Sequence, residues 1–379
     1  MRRFDGALLA LGVAARLIAA SAGHNYDMES FFIVAKIVEH GGNVYASTSR
    51  NNYAPIWSTL LHGLDLAARV LPFDWQHVLR YGIAGVLTLV DVAICLLLRR
   101  RCCRVAAYAF FLNPVSIIIT GYHSQFDNAA LLLGLLAVTL IGEDTGARLT
   151  WRVAAGWVLL GVSLMTKHIL FAFPLWLAIK ARSWPRRILT LIVPVAVFLA
   201  GFVGYWSTGG AGIVRNVFSY NSYSNPYFYQ QLVPAIVARV LTAKQLWLLV
   251  LVVFGFLMRR EGAWESLLVY SAVLVVASPA ITNQYLAIPV PFTAVYFNVF
   301  SCAYAAVGAW HLGIDYDGLN LTRLHGVDWT ERNTYYSAAV WILCAAIVWA
   351  RWRPAFASAA KRLVKPISGR LRGGPDTGR

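Results

Sequence analysis

The chain has 379 residues, of which 59% are hydrophobic and only 13% charged, where soluble globular domains carry roughly 25% charged residues. With a mean hydropathy of +0.59, this composition excludes an ordinary soluble enzyme and predicts an all-α, polytopic membrane protein. A net charge of +16 would suit a nucleic-acid binder in a soluble chain, but here the basic residues fall in short clusters between apolar runs, so nucleic acid is not an expected partner.

In chain order, the first crossing is expected from about Gly6 to Ala22. Met1-Arg2-Arg3 is a plausible start for a signal, but Ser21-Ala22-Gly23 leads straight into a polar loop, and we read no cleavage site there. Gly23 to Asp74 forms a long first external loop. Within it Met28 to His40 and Pro55 to Val70 are amphipathic, as interfacial helices are. Spans follow near His77–Leu98, Val105–Gly121, Asn128–Gly142, Val153–Thr166 and Ile188–Trp206, then near Gln245–Met258 and Ala263–Thr282. Ile169 to Ile179 is too short to cross about 30 Å of hydrocarbon unaided and reads as a broken crossing. Pro289 and Pro291 bend the run Tyr285 to Leu312, and Tyr335 to Ala350 is the last span. The expectation is about 10–12 transmembrane segments in one integral-membrane domain, residues 1–360, followed by a basic, unstructured tail, 361–379.

The clusters at Arg2-Arg3, Arg99–Arg104, Arg148 and Arg152, Lys180–Arg187, Arg259-Arg260 and the tail hold most of the Lys and Arg, which places them, and both termini, in the cytoplasm. Most of the carboxylates lie on the opposite, extracytoplasmic side, where function is expected. The five cysteines have no disulfide or zinc spacing and read as packing residues.

Five polar constellations interrupt the apolar text on that outer side. Asn25-Tyr26-Asp27-Met28-Glu29 sets two carboxylates at the mouth of the first crossing, where charge is costly unless used or paired, although Asp27 also suits a helix N-cap. Tyr122-His123-Ser124-Gln125-Phe126-Asp127-Asn128 is a hinge denser in polar groups than a turn needs, or simply an external turn. Lys167-His168 ends a span, where a lysine ordinarily snorkels to the headgroups. Arg215 precedes an aromatic and amide run, Tyr220 to Tyr229, which suits a sugar surface or an aromatic belt. Thr282-Asn283-Gln284-Tyr285 is a further corner. Cations and carboxylates gathered at one membrane-level surface can hold a lipid phosphate beside a general base, and so move a sugar from a lipid.

The order of Asp27-Met28-Glu29, Tyr53-Ala54-Pro55, Asn113-Pro114 through His123–Asn128, Thr166-Lys167-His168 and Asn283-Gln284-Tyr285-Leu286 resembles the GT-C superfamily of polyprenyl-phosphate-sugar glycosyltransferases. It is most similar to the dolichyl-phosphate-glucose glucosyltransferases of N-glycan precursor assembly and to bacterial polyprenyl-phosphate-mannose mannosyltransferases. Three motifs depart from the glucosyltransferase pattern, at Tyr53-Ala54-Pro55, at Phe126-Asp127-Asn128 and at His168 after Lys167. The resemblance implies a GT-C-like fold and an inverting hexosyl transfer, of mannose or glucose, on the extracytoplasmic or lumenal face of a prokaryotic plasma membrane or the endoplasmic reticulum. It implies a polyprenyl-phosphate-linked donor and a lipid-linked or glycolipid acceptor, with Asp27 as catalytic base. The substrate-binding set is then Glu29, Tyr53, His123, Gln125, Asp127, Lys167, His168, Arg215 and Gln284. The Asp27-x-Glu29 pair permits a divalent cation, which a lipid-monophosphate donor does not require. The competing reading is a transporter or flippase of polyprenyl-linked lipids or sugars, which would bury charges inside its spans, as only Arg16, Arg80 and Asp91 are placed to be.

Overall fold

The computed structural model describes residues 3–142, 149–220, 241–321 and 332–364. Among the described residues the chain is helical throughout, with no strand. The amino-terminal part comprises α1 (Arg3–Ser21), α2 (Tyr26–Glu39), α3 (Val44–Ser47), α4 (Pro55–Val70), α5 (Trp75–Arg101), α6 (Arg104–Phe111), α7 (Pro114–Gly121) and α8 (Asp127–Ile141). Then come α9 (Trp151–Thr166), α10 (Phe173–Lys180), α11 (Trp184–Ala200) and α12 (Val203–Ile213), which runs on as a π turn, Val214–Phe218. After the next described stretch begins, α13 (Ala243–Leu257) and α14 (Ala263–Val276) are followed by a 3-10 turn, Asn283–Ala287, then α15 (Val290–Val295), α16 (Val299–Ile314) and α17 (Arg332–Val364).

Helix length decides which of these can cross hydrocarbon. At 1.5 Å per residue, about 20 residues are needed for roughly 30 Å. Trp75–Arg101 and Thr334–Arg351 are long and apolar enough alone, and three bent pairs raise the number to five if each pair is one span. The bends are 82° between α1 and α2, 47° between α6 and α7, and 87° between α11 and the α12 segment. The remaining apolar helices, of 10–17 residues, fall short of the full-length spans read from the sequence because hydropathy registers apolar runs and not the breaks within them. The break before α7 follows from local chemistry: Asn113 Oδ1 accepts the Val115 N–H at 3.0 Å, and Pro114 opens the new helix. The expected Pro289/Pro291 bend is present as the α15 to α16 break, and the expected short crossing at Ile169–Ile179 is a 3-10 turn, His168–Leu170, followed by α10. The last helix continues to Val364, three residues past the expected start of the basic tail at Lys361, and 365–379 lie outside the described residues.

The outward faces carry the solvent preference. Helix α11 buries Arg186 and Thr190 and turns Ile188, Leu191, Ile192, Val195 and Leu199 outward, while α13 exposes Leu248, Leu249, Val253, Phe256 and Leu257. Such contiguous apolar exterior is rare on soluble monomers and fits hydrocarbon. One core, around Phe111, Leu135, Trp176, Tyr270 and Tyr304, fills the bundle. A second, aromatic core is built from residues 28–61 with their neighbours, where α2 packs on α4 and α4 on α5.

Inside the bundle, Arg16 of α1 and Asp91 of α5 form a fully buried ion pair, Nε to Oδ2 2.8 Å. Arg16 also donates to the carbonyls of Gly12 and Phe111 and to Ser116 Oγ, at 3.0, 2.8 and 3.0 Å. Asp91 accepts from Thr120 Oγ1 at 2.7 Å and from Asn128 Nδ2 at 2.8 Å. At the other end of α1, Asp5 is fully buried between Arg99 and Arg104 and accepts from the Tyr108 hydroxyl. Arg80 lies buried as expected, yet its Nε has no hydrogen-bond partner.

Candidate functional site

The site is assembled from three chain breaks. The first is the sharp turn between α1 and α2, which sets Asn25, Tyr26 and Asp27 at the head of α2, the helix expected from the sequence to be interfacial. The second is the hinge between α7 and α8, where Ser124 takes a left-handed φ of 53°. That conformation costs a non-glycine residue roughly 1–3 kcal/mol and survives where the surroundings dictate it. The third is the end of α9, where Lys167 leaves the helix in extended conformation, φ −151° and ψ 126°.

Their side chains interlock. Gln125 Nε2 donates to Asp27 Oδ2 at 2.6 Å, and Asn25 Nδ2 lies 3.4 Å from the same oxygen. Lys167 Nζ donates to Gln125 Oε1 at 3.0 Å and to Asp127 Oδ2 at 2.6 Å. Asn25 Nδ2 also reaches His123 Nδ1 at 2.9 Å, which makes that nitrogen an acceptor and leaves the proton of the neutral ring on Nε2. Below lies an aromatic floor in which Phe126 stacks on Trp57 with centroids 3.8 Å apart and planes at 11°, and meets Tyr53 edge-on at 4.8 Å. The Lys167 ammonium sits 4.9 Å from the Phe126 centroid and 5.3 Å from that of Tyr53, within cation–π range.

The electrostatics follow from burial. Lys167 is only 5% exposed, so it does not snorkel, and two of its three N–H donors are taken by Gln125 and Asp127. Desolvation raises the pKa of Asp27 above the usual carboxylate range, opposed by the nearby positive charges of Lys167 and Arg50. Its Oδ2 is engaged by Gln125 and Asn25, so Oδ1 is the oxygen left to take a proton. Burial drives His123 down to about 3, so the ring stays neutral. Several buried polar atoms of the cluster have no hydrogen-bond partner: Asn25 Oδ1, His123 Nε2, Ser124 Oγ and Asp127 Oδ1. Orphans so concentrated mark a place where water or a ligand completes the hydrogen bonding.

Of the residues proposed from sequence, Asp27, Tyr53, His123, Gln125, Asp127 and Lys167 come together. Glu29 does not share Asp27's surroundings: its side chain is 58% exposed and lies 3.9 Å from Arg50. Among the described residues, no group of three or more His, Cys, Asp or Glu is arranged to hold a metal ion. His168 is next to Lys167, with Nδ1 buried and without a partner. Arg215 stands exposed on the π turn, and its Nε donates to its neighbour Asn216 Oδ1 at 3.2 Å, outside the cluster. The segment packs on α3, with Asn216 Nδ2 donating to the Thr48 carbonyl at 3.0 Å, while the Arg215 side chain faces outward. The aromatic run beyond it, 221–229, lies outside the described residues, as does Thr322 of the Asn320-Leu321-Thr322 sequon. Gln284 is half-buried, and the hydrogen bonds at that corner are made by its neighbour: Asn283 Nδ2 donates to Asp315 Oδ2 at 2.8 Å, and Asn283 Oδ1 faces His311 Nε2 at 2.8 Å.

Sequence reasoning missed Arg50 and Asp317. Arg50 lies over the Tyr26 ring at 3.7 Å and donates to Ser30 Oγ at 2.9 Å, putting a cation beside Asp27. Asp317 Oδ1 accepts the backbone N–H of Tyr26 at 3.3 Å. A lone Arg in a polar loop carries no signal, and Asp317 was legible only as one carboxylate among several on the outer side.

No family model matches the chain, and neither a curated protein nor a solved structure matches it.

Proposed function

We propose that the protein is a multi-pass integral-membrane glycosyltransferase of the GT-C type, with both termini cytoplasmic and the Asp27 cluster on the extracytoplasmic or lumenal face. It moves a hexose, mannose or glucose, from a polyprenyl-phosphate donor to a lipid-linked or glycolipid acceptor with inversion. The observation that carries this reading is the convergence of Asp27, Gln125, Asp127 and Lys167, from three separate chain breaks, on one partly buried cluster beside an interfacial helix. Asp27 Oδ1 takes the proton from the attacking acceptor hydroxyl, a contribution typically worth about 10² to 10⁴ in rate, while Gln125 and Asn25 hold Oδ2. A carboxylate whose pKa is raised by burial is a stronger base than one in water. As the anomeric C–O bond breaks, charge builds on the phosphate, and the remaining N–H of Lys167 together with Arg50 are the cations that stabilise it.

The test is a panel of synthetic polyprenyl-phosphate mannose, glucose and pentose donors, given to the purified chain in lipid with lipid extracts as acceptor. Consumption of one hexosyl donor, abolished in Asp27→Asn, supports the reading; transfer by Asp27→Asn at the unsubstituted rate sinks the mechanism. The transporter alternative draws little from the bundle interior, where Arg16 and Asp91 pair with each other and are sealed from solvent.

A further inference from the structure

Helix α2 carries Asp27, yet it begins without a side-chain cap of its own: Asn25 occupies the N-cap position and makes no capping hydrogen bond, because its amide is turned to His123 and Asp27. The exposed end of a helix leaves N–H groups that need acceptors. One acceptor arrives from 291 residues along the chain, where Asp317 Oδ1 takes the Tyr26 N–H at 3.3 Å. The turn that carries Asp317 is itself anchored. The Asp317 N–H donates to Asp315 Oδ2 at 3.0 Å, and that oxygen is held by Asn283 at 2.8 Å. Leu319 N–H donates back to the Leu312 carbonyl at 2.8 Å, closing the turn on the end of α16.

We propose that Asp317 is a positioning residue for Asp27, capping the head of α2 from the far end of the chain and setting a second carboxylate against the base. This deepens the proposed function and rests on it for the role of Asp27. The charged and titratable groups facing the pair are few. Asp315 faces Asp317 from its own turn, Asp27 faces it from α2, and Lys167, Asp127 and Arg50 face Asp27. His123, from the α7 to α8 hinge, faces Asp315 and His311. The like charge of Asp27 and the partial burial of Asp317 both favour the protonated acid, and Asp317 is pushed up to about 6. By the same repulsion an ionised Asp317 makes Asp27 a stronger base.

The experiment compares Asp317→Asn and Asp317→Ala in the full chain in lipid nanodiscs, with two readouts. Hydrogen exchange of peptides covering Tyr26–Glu39 reports the cap directly. Asp317→Ala is expected to exchange about fivefold faster there, the factor of a lost helix cap, and Asp317→Asn, which keeps an acceptor oxygen, to stay close to the unsubstituted chain. The pH profile of kcat/KM with a polyprenyl-phosphate hexose reports the charge. Asp317→Asn is expected to move the acid limb to lower pH, whereas Asp317→Ala is expected to lose tenfold or more in kcat with donor KM changed less than about twofold, as a displaced base would. Unaltered exchange at α2 in Asp317→Ala overturns the cap, and an Asp317→Asn profile that superimposes on the unsubstituted one overturns the tuning. Should the unsubstituted chain consume none of the donors, the proposed function fails, while the exchange readout still decides whether Asp317 holds α2.

Discussion

Two charged centres lie on either side of the α7 to α8 hinge, and they are built on opposite plans. At the inner one, the pair of Arg16 and Asp91 is fully buried, and the neighbouring Ser116, Thr120, Asn128 and two carbonyls take up its hydrogen bonds. At the outer one, Asp27 is partly open, its Oδ1 is uncommitted, and four buried polar atoms around it have no partner. The inner network, with Asn128 Oδ1 its one unpartnered buried polar atom among the described residues, is close to saturated and rigidifies; the outer one leaves hydrogen-bonding capacity for something else to fill. The contrast separates the centre that holds the bundle from the centre equipped to act.

That contrast is open to attack by substitution. The largest effect is expected at the outer centre, where Asp27→Asn should lower sugar transfer by about 10² to 10⁴ while leaving thermal stability level or raised, since the substitution removes a partly desolvated charge; transfer assays paired with melting curves check both halves. The inner centre should answer the other way. Arg16→Met or Asp91→Asn, each stranding the other charge, is expected to cost about 3–5 kcal/mol in denaturant unfolding, and the apolar double replacement Arg16→Met/Asp91→Leu should recover most of it. Lys167→Met tests the boundary between the two plans, because Lys167 is buried like the inner pair yet belongs to the outer site. A tenfold or greater rise in donor KM is expected from the loss of one charge-assisted hydrogen bond, worth about 1.5–3 kcal/mol.

The pH dependence of stability is a subtler probe with two opposing limbs. His123, held at about 3 against an ordinary 6.5, favours the fold fully above 6.5, and that contribution is lost as pH falls toward 3. Asp317, raised from 3.8 to about 6, does the reverse: its contribution is complete below 3.8 and is lost as pH rises through about 6. In melting curves across this range, Asp317→Asn should remove only the second limb. The smallest effect is expected from Arg215→Ala, within about 0.5 kcal/mol of the unsubstituted stability, as for other exposed side chains.

Much of the outer site was legible because polar residues stand out against an apolar text. Asp27, the 123–127 hinge and Lys167 each break a hydrophobic run at a point where such breaks are costly, and the structure brings them within hydrogen-bond reach of one another. Helices α2 and α4 were legible from periodicity, and the bend near Pro289 from proline chemistry. What stayed hidden was pairing across long separations. Arg16 and Asp91 could be read as interior charges but not as partners, and neither Arg50 nor Asp317 differs in local sequence from any loop charge. Helix breaks were hidden too wherever the apolar text runs on, as between α11 and α12, where the turn at Gly201 presses against the Met165 side chain so closely that an added Cβ would lie 2.7 Å from its sulfur.

Synthesis order gives the inner ion pair a temporal dimension. Arg16 leaves the ribosome 75 residues ahead of Asp91, and Ser116, Thr120 and Asn128 come later still. Until they arrive the guanidinium has no carboxylate to meet, and a lone arginine at the centre of an inserting helix costs about 2.5–3.5 kcal/mol. On the proposed membrane topology, α1 therefore gains a stable home only after α5, α7 and α8 have been made.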